Sequence, residues 1–292
     1  MQKIVCFGEI LWDVFPTHKK IGGAPLNVAL RLKSFGNIVT IISSVGNDSD
    51  GKELLDFISD HGVDCNEIQI SNEYKTSHVN VVLDNKGSAS YTIEKPCAWD
   101  FIQPTENSKR VVKDSDVFIF GSLVTRMKTS RETLLDLLEY SKFRVLDVNL
   151  RPPYYEMDFL KQLMLKAHFV KFNDEELLEF CEYFKFESNS IERQIKFVSE
   201  TTETNQICVT LGSEGAILYT DNAFYRSNGY KVSVKDTVGA GDSFLATLIN
   251  GLLNNKPRQE ALNMACAIGA LVASKDGANP IIEVDEIQSL MV

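Results

Sequence analysis

The residues best suited to chemistry lie near the end of the chain, where residues 236–242 read Asp-Thr-Val-Gly-Ala-Gly-Asp before apolar residues at helical spacing. A glycine-rich turn entering a helix leaves backbone N–H groups aimed at one position, which suits a phosphoryl group gaining negative charge during transfer. Asp242, at the helix start, would stay ionised and could accept a proton from an attacking hydroxyl. The turn alone would favour an ordinary helix cap. The whole string, with its final aspartate, predicts phosphoryl transfer.

A second glycine-rich turn lies near the N-terminus, where residues 22–27 read Gly-Gly-Ala-Pro-Leu-Asn. Gly22 and Gly23 would let a ligand approach the backbone closely, and Asn27 offers a donor and an acceptor to a sugar hydroxyl. Asp13, just past the first predicted strand, could accept two vicinal hydroxyls. The alternatives are a plain turn with proline in the first helical turn, and a surface carboxylate at Asp13.

Three further motifs follow predicted strands, and each has a structural alternative. Asn173 and Glu176 could hold a hydrated Mg²⁺ near a triphosphate, or they could form a capping box. Arg151, which ends the motif Asp-x-Asn-x-Arg, could pair with phosphate or form a structural salt bridge. Residues 210–215 read Thr-Leu-Gly-Ser-Glu-Gly and could cover a nucleotide, although most turns of this kind have no such role.

Other patterns exclude several classes of enzyme. Residues 46–53 read Gly-Asn-Asp-Ser-Asp-Gly-Lys-Glu, close to the P-loop pattern, but the final Glu53 supplies no hydroxyl for Mg²⁺ and adds negative charge. We interpret this segment as a turn and a helix start. No strand leads into a true GxGxxG, which disfavours a nicotinamide oxidoreductase. The four histidines share no ligand or triad spacing, so we assign them no catalytic role.

The elements that must position these residues alternate between short apolar, β-branched runs and amphipathic helical patterns. This alternation predicts a mostly parallel sheet flanked by helices. Ligands of open α/β sheets bind beyond the carboxyl ends of the strands, so polar residues following the strands should line one rim. The predicted strands cover residues 4–7, 39–43, 117–120, 144–148, 169–172 and 207–211.

Residues 74–96 interrupt this alternation and predict a β-hairpin. Its strands would cover residues 77–83 and 88–94, joined by a polar turn at residues 84–87 that reads Asp-Asn-Lys-Gly. Residues 10–19 could add another strand. The resulting small sheet would serve as a lid or an oligomer contact.

Composition places limits on location and partners. The formal net charge of −10 argues against nucleic acid or an anionic membrane as the main partner, and an acidic protein that binds a nucleotide should depend on divalent cations. The six scattered cysteines form no CxxC pair, which favours reduced, buried thiols over zinc or disulfides. The first apolar run is too short for a signal peptide, and no window of about 18 apolar residues predicts a membrane span. We therefore expect a cytoplasmic protein.

Taken together, these motifs resemble the two signatures and the internal motif order of the ribokinase-like (PfkB) carbohydrate kinases. The resemblance covers nearly the whole chain. It implies one Rossmann-like kinase domain over residues 1–292, with a β-sheet lid formed from about residues 10–20 and 72–98. It also implies ATP and Mg²⁺ as cofactors, with K⁺ as a further ion, and a homodimer formed through the lid.

The same resemblance implies a role for each matching position. Asp242 resembles the catalytic base, with the anion hole at Gly239, Ala240 and Gly241. The positions that resemble sugar contacts are Asp13, Gly22, Gly23, Asn27, Trp99, Asn149 and Arg151. The positions that resemble nucleotide contacts are Lys171, Asn173, Thr210, Gly212, Gly215, Gly277 and Asn279. Asn173 and Glu176 match the motif that organises Mg²⁺ through water, and Asp236 resembles a monovalent-cation position.

Within the family, three features are most similar to the fructokinase branch: Gly-Gly-Ala-Pro, the pair Ala98-Trp99, and the motif from Asp147 to Arg151. Conversion of fructose to fructose 6-phosphate is therefore the expected reaction. The hairpin carries lysines but no arginine, which disfavours an already phosphorylated acceptor. Ribokinase, 2-keto-3-deoxygluconate kinase and nucleoside kinase activities remain alternatives, as does a catalytically silent sugar-binding regulator.

Overall fold

The computed structural model describes residues 1–83 and 89–291. The chain forms two compact units. The first unit comprises Met1–Phe118 and Val124–Lys142, and the second comprises Ile119–Leu123 and Phe143–Val292. The single kinase domain over residues 1–292 stays a prediction.

The described residues form thirteen strands and ten α-helices, with three short 3₁₀ segments. In chain order the strands are β1 (Lys3–Phe7), β2 (Leu11–Val14), β3 (Lys19–Gly22), β4 (Ile38–Gly46), β5 (Ile68–Ser71), β6 (Ser77–Leu83), β7 (Ala89–Ile93), β8 (Val117–Gly121), β9 (Arg144–Asp147), β10 (Phe169–Asn173), β11 (Ile207–Thr210), β12 (Ala216–Thr220) and β13 (Ala223–Ser227). The helices are α1 (Ala24–Ser34), α2 (Ser49–Asp60), α3 (Glu106–Asp114), α4 (Lys128–Leu138), α5 (Met157–Lys166), α6 (Asp174–Tyr183), α7 (Ile191–Thr202), α8 (Ala240–Leu253), α9 (Arg258–Ala273) and α10 (Val284–Met291).

Nine strands form one mostly parallel sheet in the order β13-β12-β11-β10-β9-β8-β1-β4-β5. The pairs β1/β4 and β4/β5 in the first unit, and β9/β10 and β10/β11 in the second, are parallel. The pairs β11/β12 and β12/β13 are antiparallel. Helices flank the sheet, so the predicted α/β fold class is confirmed.

The central strands are almost completely buried, and this explains their continuous apolar sequences. In β1 the four residues after Lys3 are all buried, and Phe7 lies 6.0 Å from Phe118 of β8 between ring centroids. Parallel strands covered by helices on both faces read as unbroken hydrophobic runs rather than as an alternation. All six predicted core strands therefore appear within a few residues of their expected ends.

The small sheet is built from four strands of the first unit in the order β3-β2-β6-β7. The pairs β2/β3 and β6/β7 are antiparallel, whereas β2 and β6 run parallel. The predicted hairpin strands thus correspond to β6 and β7, and β2 lies within the expected additional strand. The predicted turn at residues 84–87 lies outside the described residues. We call these four strands the lid sheet.

The six cysteines all lie in the described ranges, and none of them forms a disulfide there. Five are buried and Cys65 is half-buried, so the expectation of buried thiols needs that one correction. Burial raises the pKa of Cys97 and of Cys181 to about 12, which keeps both as unreactive thiols near neutral pH. None of the helices in the described ranges is both long and apolar enough to cross a bilayer.

Candidate active site

The glycine-rich turn of residues 236–242 lies in the second unit and leads directly into α8. Gly239 is the N-cap residue in a left-handed conformation (φ 76°), and Asp242 is the third residue of the helix, half-buried. The amide of Ser243 donates to the Gly239 carbonyl at 2.8 Å, which closes the first helical turn. Helical geometry leaves the amides of that turn without intrahelical acceptors, as an anion site requires.

The three residues expected to form the anion hole are not equivalent. The amide of Ala240 donates to the Thr237 carbonyl at 3.2 Å and so helps to hold the turn itself. Gly239 packs against the neighbouring loop, because a β-carbon there would lie 2.6 Å from the Ala278 Cα. A β-carbon on Gly241 would instead be 3.6 Å from the Lys171 Nζ, an ordinary contact distance. The site therefore has a cation next to Gly241.

Asp236 connects this turn to the loop that follows α9. Its Oδ1 accepts from the Val238 amide at 3.0 Å, and its Oδ2 accepts from the Gly277 amide at 3.3 Å. The Lys235 amide donates to the Ala273 carbonyl at 2.8 Å and reinforces the connection. The side chain of Asp236 thus has a structural role in shaping the turn, and its role at a monovalent cation stays a prediction.

Lys171 forms a buried ion pair with Asp147 on adjacent parallel strands. The Lys171 Nζ donates to Asp147 Oδ1 at 2.9 Å, and the side chains are only 8% and 6% exposed. Burial alone would lower the pKa of Lys171, but the carboxylates of Asp147, Glu176 and Asp242 reverse this and raise it. Lys171 therefore carries a permanent positive charge close to Asp242.

The second oxygen of Asp147 is different. Asp147 Oδ2 is buried and has no hydrogen-bond partner within the described part of the chain. A buried carboxylate oxygen without a donor costs free energy unless water or a cation satisfies it. Since Lys171 neutralises only one side of the group, Oδ2 marks a position suited to water or a hydrated cation.

Asn173 and Glu176 form the capping box that was one of the two sequence interpretations. The Glu176 amide donates to Asn173 Oδ1 at 2.7 Å, and the Asn173 amide donates to Glu176 Oε2 at 2.9 Å. Glu176 Oε1 also accepts from the Leu150 amide at 2.8 Å. Burial raises the pKa of Glu176 despite the nearby Lys171. The structure therefore contains the cap, and water-mediated metal binding by the remaining lone pairs stays a prediction.

The contact between Glu176 and Leu150 shapes the segment that carries Asn149 and Arg151. Asn149 adopts a left-handed conformation (φ 38°) directly before the anchored Leu150. Arg151 is exposed, and its Nη1 donates to the Leu150 carbonyl at 3.0 Å. Both side chains thus follow the carboxyl end of β9, as predicted from the motif.

The expected nucleotide-contacting glycines fall into two groups. Gly212 (φ 56°) and Gly277 (φ 82°) have no atom within 4 Å of a hypothetical β-carbon, so their surfaces are open to a ligand. Gly215 (φ 95°) is enclosed, because a β-carbon would lie 2.7 Å from the Asn228 carbonyl carbon. Thr210 Oγ1 donates to the Phe172 carbonyl at 3.3 Å, and Asn279 is half-buried in the loop after Gly277.

In the first unit, the sugar-binding candidates converge around the start of α1. Asp13 lies on β2, and its carboxylate lies against Gly22 so closely that a β-carbon on Gly22 would collide with it. A β-carbon on Gly23 (φ 109°) would likewise collide with the Glu9 carbonyl oxygen. Asn27 is buried, and its backbone N–H donates to the Gly23 carbonyl at 2.9 Å. These four residues form one cluster that combines a carboxylate, an amide side chain and the closely packed backbone of two glycines.

Trp99 lies in the interior of the first unit. It is 0% exposed, and the guanidinium of Arg126 lies 4.0 Å from its ring centroid. Arg126 also forms a buried ion pair with Asp100, with Nε and Oδ1 2.7 Å apart. As placed, Trp99 is a core residue of the first unit, and its role as a sugar contact stays a prediction.

Comparison with known proteins gives this arrangement a family. Residues 1–285 match the pfkB family carbohydrate kinase. The chain belongs to the pfkB family. A relative, the probable fructokinase-4 of Arabidopsis thaliana, is 28% identical over 99% of this chain and 96% of its own length.

Two solved structures are similar to this pfkB-family kinase. An uncharacterized sugar kinase from Pyrococcus horikoshii in complex with ATP is 27% identical, with a TM-score of 0.81 over 99% of this chain and 100% of the other. A fructokinase from Vibrio cholerae O395, in fructose-, ADP- and calcium-bound form, has a TM-score of 0.86 at 24% identity, covering 100% and 99% of the two chains. The similarity to the Vibrio cholerae structure, at 24% identity, is evidence for the fold alone.

Sequence reasoning did not identify two polar groups of the pfkB-family kinase. Asp147 entered only as the first letter of a motif, whereas the structure makes it the partner of Lys171. The sequence feature that could have indicated this pair is a lysine in one predicted strand and an aspartate at the end of the preceding one. Asp48 entered only within the near-P-loop segment, and its contacts are described below.

Two glycine substitutions separate the requirements of the turn. Gly239→Ala should lower the thermal unfolding temperature and kcat together, since its β-carbon would collide with Ala278 and its φ is positive. Gly241→Ala should leave the unfolding temperature within about 2 °C of wild type, because surface and unstrained substitutions are usually nearly neutral. Thermal unfolding monitored by circular dichroism measures both. Equal shifts for the two variants would contradict the described packing.

Proposed function

We propose that this pfkB-family kinase transfers the γ-phosphoryl group of ATP to the primary hydroxyl at C6 of fructose, producing fructose 6-phosphate and ADP. The observation that carries the proposal is Asp242 in the first turn of α8, with the Lys171 ammonium close to the adjacent Gly241. The fructokinase relative that matches almost the whole chain supports fructose as the acceptor.

Asp242 would act as the general base. Its carboxylate accepts the proton of the C6 hydroxyl as that oxygen forms a bond to the γ-phosphorus. The bond between the γ-phosphorus and its bridging oxygen to the β-phosphate breaks, and that oxygen leaves with ADP. The proton remains on Asp242 until product release, so atoms and charge balance.

The amides of the first turn of α8 and the Lys171 charge would stabilise the transferring group. A positive charge held in a buried position needs no reorganisation as negative charge develops, which makes it more effective than a solvated one. Gly212 and Gly277 offer open backbone for the nucleotide, and Asn279, Thr210 and Gly215 would shape the adjoining loops.

The cluster of the first unit would bind the sugar. Asp13 would accept hydrogen bonds from two vicinal hydroxyls, and Asn27 would donate to and accept from a third. Gly22 and Gly23 would contact the sugar through their backbone groups, while their lack of side chains lets them pack closely against Asp13 and Glu9. Asn149 and Arg151 are the remaining proposed contacts, with Arg151 pairing with phosphate oxygens.

Mg²⁺ is the divalent ion we propose for this kinase, and the residues present fit it. Within the described residues Asp147 Oδ2 lacks a donor, Glu176 and Asn173 retain lone pairs, and the charge of Asp147 acts on Glu176. Hard oxygen ligands that reach the ion through water are typical of Mg²⁺ at nucleotide sites. When bound, the ion would neutralise charge on the phosphates. We also propose that K⁺ binds near Asp236, with backbone carbonyl oxygens as further ligands.

A panel of acceptors tests the proposal. With ATP and Mg²⁺, ADP release should give the highest kcat/KM for fructose, above ribose, 2-keto-3-deoxygluconate, a nucleoside and fructose 1-phosphate. Chelation of divalent ions should abolish the activity, and Mg²⁺ should restore it. A higher kcat/KM for another acceptor would replace fructose. Tight fructose binding with no ADP release would instead support a silent sugar-binding regulator.

We also propose that the kinase acts in the cytoplasm as a homodimer. Free buried cysteines are typical of a reducing compartment. The outer strands of the lid sheet, β3 and β7, have sheet edges that a second copy could pair with. Sedimentation velocity should give twice the mass of one chain, and a monomer at micromolar concentration would contradict the dimer.

A further inference from the structure

The near-P-loop segment of residues 46–53 connects β4 to α2 in the first unit. Its contacts with other parts of the protein explain its sequence without a bound phosphate. Asp48 is the N-cap residue of α2, and its Oδ1 accepts from the Gly51 amide at 2.7 Å. This confirms the interpretation as a turn and a helix start. The other contacts of Asp48 go beyond a cap.

Asp48 binds Thr76, the residue directly before lid strand β6. The Thr76 amide donates to Asp48 Oδ2 at 2.9 Å, and the Thr76 hydroxyl donates to Asp48 Oδ1 at 2.6 Å. The same hydroxyl accepts from the Gly46 amide at 3.0 Å. Thr76 is 0% exposed, so these bonds are shielded from water. Burial alone would raise the pKa of Asp48, but the bonds from Thr76 and Gly51 lower it.

The two glycines of the segment make room for this contact. A β-carbon on Gly46 would collide with Asp48 Oδ2 and lie 2.5 Å from the Thr76 nitrogen. A β-carbon on Gly51 would lie 2.8 Å from the Thr76 hydroxyl oxygen. In a P-loop, glycines let the backbone surround phosphate. In this chain the same spacing surrounds a threonine of the lid connection.

Asp50, in the first turn of α2, holds the lid sheet at a second point. Its carboxylate lies 2.9 Å from the Lys19 Nζ of β3 and 2.7 Å from the His78 Nε2 of β6. Its backbone carbonyl accepts from the Trp12 indole of β2 at 3.2 Å. The Lys19 Nζ also lies 3.8 Å from the Trp12 ring centroid. Three lid strands therefore contact one helical turn.

The strand register connects these contacts to the sugar cluster. On β2, Trp12 pairs with His78, and the next residue, Asp13, pairs with Val79 of β6 and Lys20 of β3. Fixing β3 and β6 therefore fixes the strand that carries the proposed sugar carboxylate. A displacement of about 1 Å at such a group is enough to weaken binding strongly.

We propose that residues 46–51 anchor the lid sheet, and that Asp48 and Asp50 are positioning residues for Asp13. The role of Asp13 rests on the proposed function, whereas the anchor itself does not. Asp48 and Asp50 touch neither sugar nor nucleotide in this proposal. They act through Thr76, Lys19, His78 and the register of β2.

The kinetic test compares substitutions that keep side-chain shape. Asp48→Asn places an amide donor against the Thr76 amide, so KM for fructose should rise roughly tenfold, the size expected when a charge-assisted hydrogen bond is lost. KM for ATP should change by less than about twofold. Thr76→Val, which removes the hydroxyl, should raise KM for fructose in the same way. Thr76→Ser, which keeps the hydroxyl, should leave this KM near the wild-type value. Asp60→Asn, at the exposed end of the same helix, is the matched control.

An activity-independent test uses hydrogen exchange. In Asp48→Asn the Thr76 amide and the β6 amides should exchange at least about tenfold faster than in wild type, while α8 amides keep their rates. Asp50→Asn should change the fluorescence of Trp12 more than Asp60→Asn does. Unchanged exchange at Thr76 would overturn the anchor. Faster exchange with equal changes in both KM values would overturn the positioning of Asp13. If fructose is no substrate, the exchange result still decides the anchor.

Discussion

Replacing Asp242 with asparagine is expected to lower kcat by roughly 10²–10⁴-fold, the usual loss when a general base is removed. Asparagine keeps the shape and the helix position but cannot accept a proton from the sugar hydroxyl. KM for ATP should change by less than about threefold, because the amides of the turn and Lys171 remain. Steady-state ADP release with saturating fructose measures both parameters.

A matched control is available on α10. Asp285, like Asp242, is an acidic residue in the first turn of its helix, and it is exposed. Asp285→Asn removes the same charge from the same kind of position, so it should leave kcat within about twofold of wild type. If Asp242→Asn retained kcat within tenfold of wild type while Asp285→Asn behaved as expected, Asp242 would not be the base.

Replacing Lys171 with methionine should destabilise the kinase by about 3–5 kcal/mol, the cost of leaving a buried partner charge uncompensated. Asp147 and Glu176 are both buried, and Lys171 is the cation that the structure places beside them. Methionine fills similar volume, so the loss comes from charge rather than from a cavity. Urea unfolding gives the free energy of unfolding for each variant.

Two further variants isolate the charge. Lys142→Met makes the same substitution at an exposed lysine and should change the free energy of unfolding by less than about 0.5 kcal/mol. In the double variant Lys171→Met with Asp147→Asn, part of the lost stability should return, because one unpaired carboxylate is gone. If Lys171→Met lowered the free energy of unfolding by less than about 1 kcal/mol, the buried carboxylates would not depend on the Lys171 charge for stability, and the prediction would be wrong.

Most of the large sheet could be predicted from the sequence, because buried parallel strands read as continuous apolar runs. Strands β1 and β8 are examples, whereas β10 carries the buried Lys171 in the middle of its run. The short strand β5 was missed, since it has only four residues and one strongly exposed apolar side chain, Ile70. Strand β13 was missed because its residues are mostly half-buried and lack clear alternation.

The site was predictable where a motif is local. The capping box at Asn173 and Glu176 follows from spacing within one turn, and the glycine-rich entry to α8 follows from residues 236–242. The long-range contacts were not predictable. Thr76 meets Asp48 across 28 residues, and β2 pairs with β6 in parallel, which depends on the folded topology rather than on local pattern.

Transfer of the γ-phosphoryl of ATP to C6 of fructose can be followed directly. The most direct measurement follows ATP labelled at its γ-phosphorus through reaction with fructose and Mg²⁺, with the product identified by phosphorus NMR. We expect label in fructose 6-phosphate, with one ADP formed for each sugar phosphate. Label found only in inorganic phosphate, or at another carbon of the sugar, would contradict it.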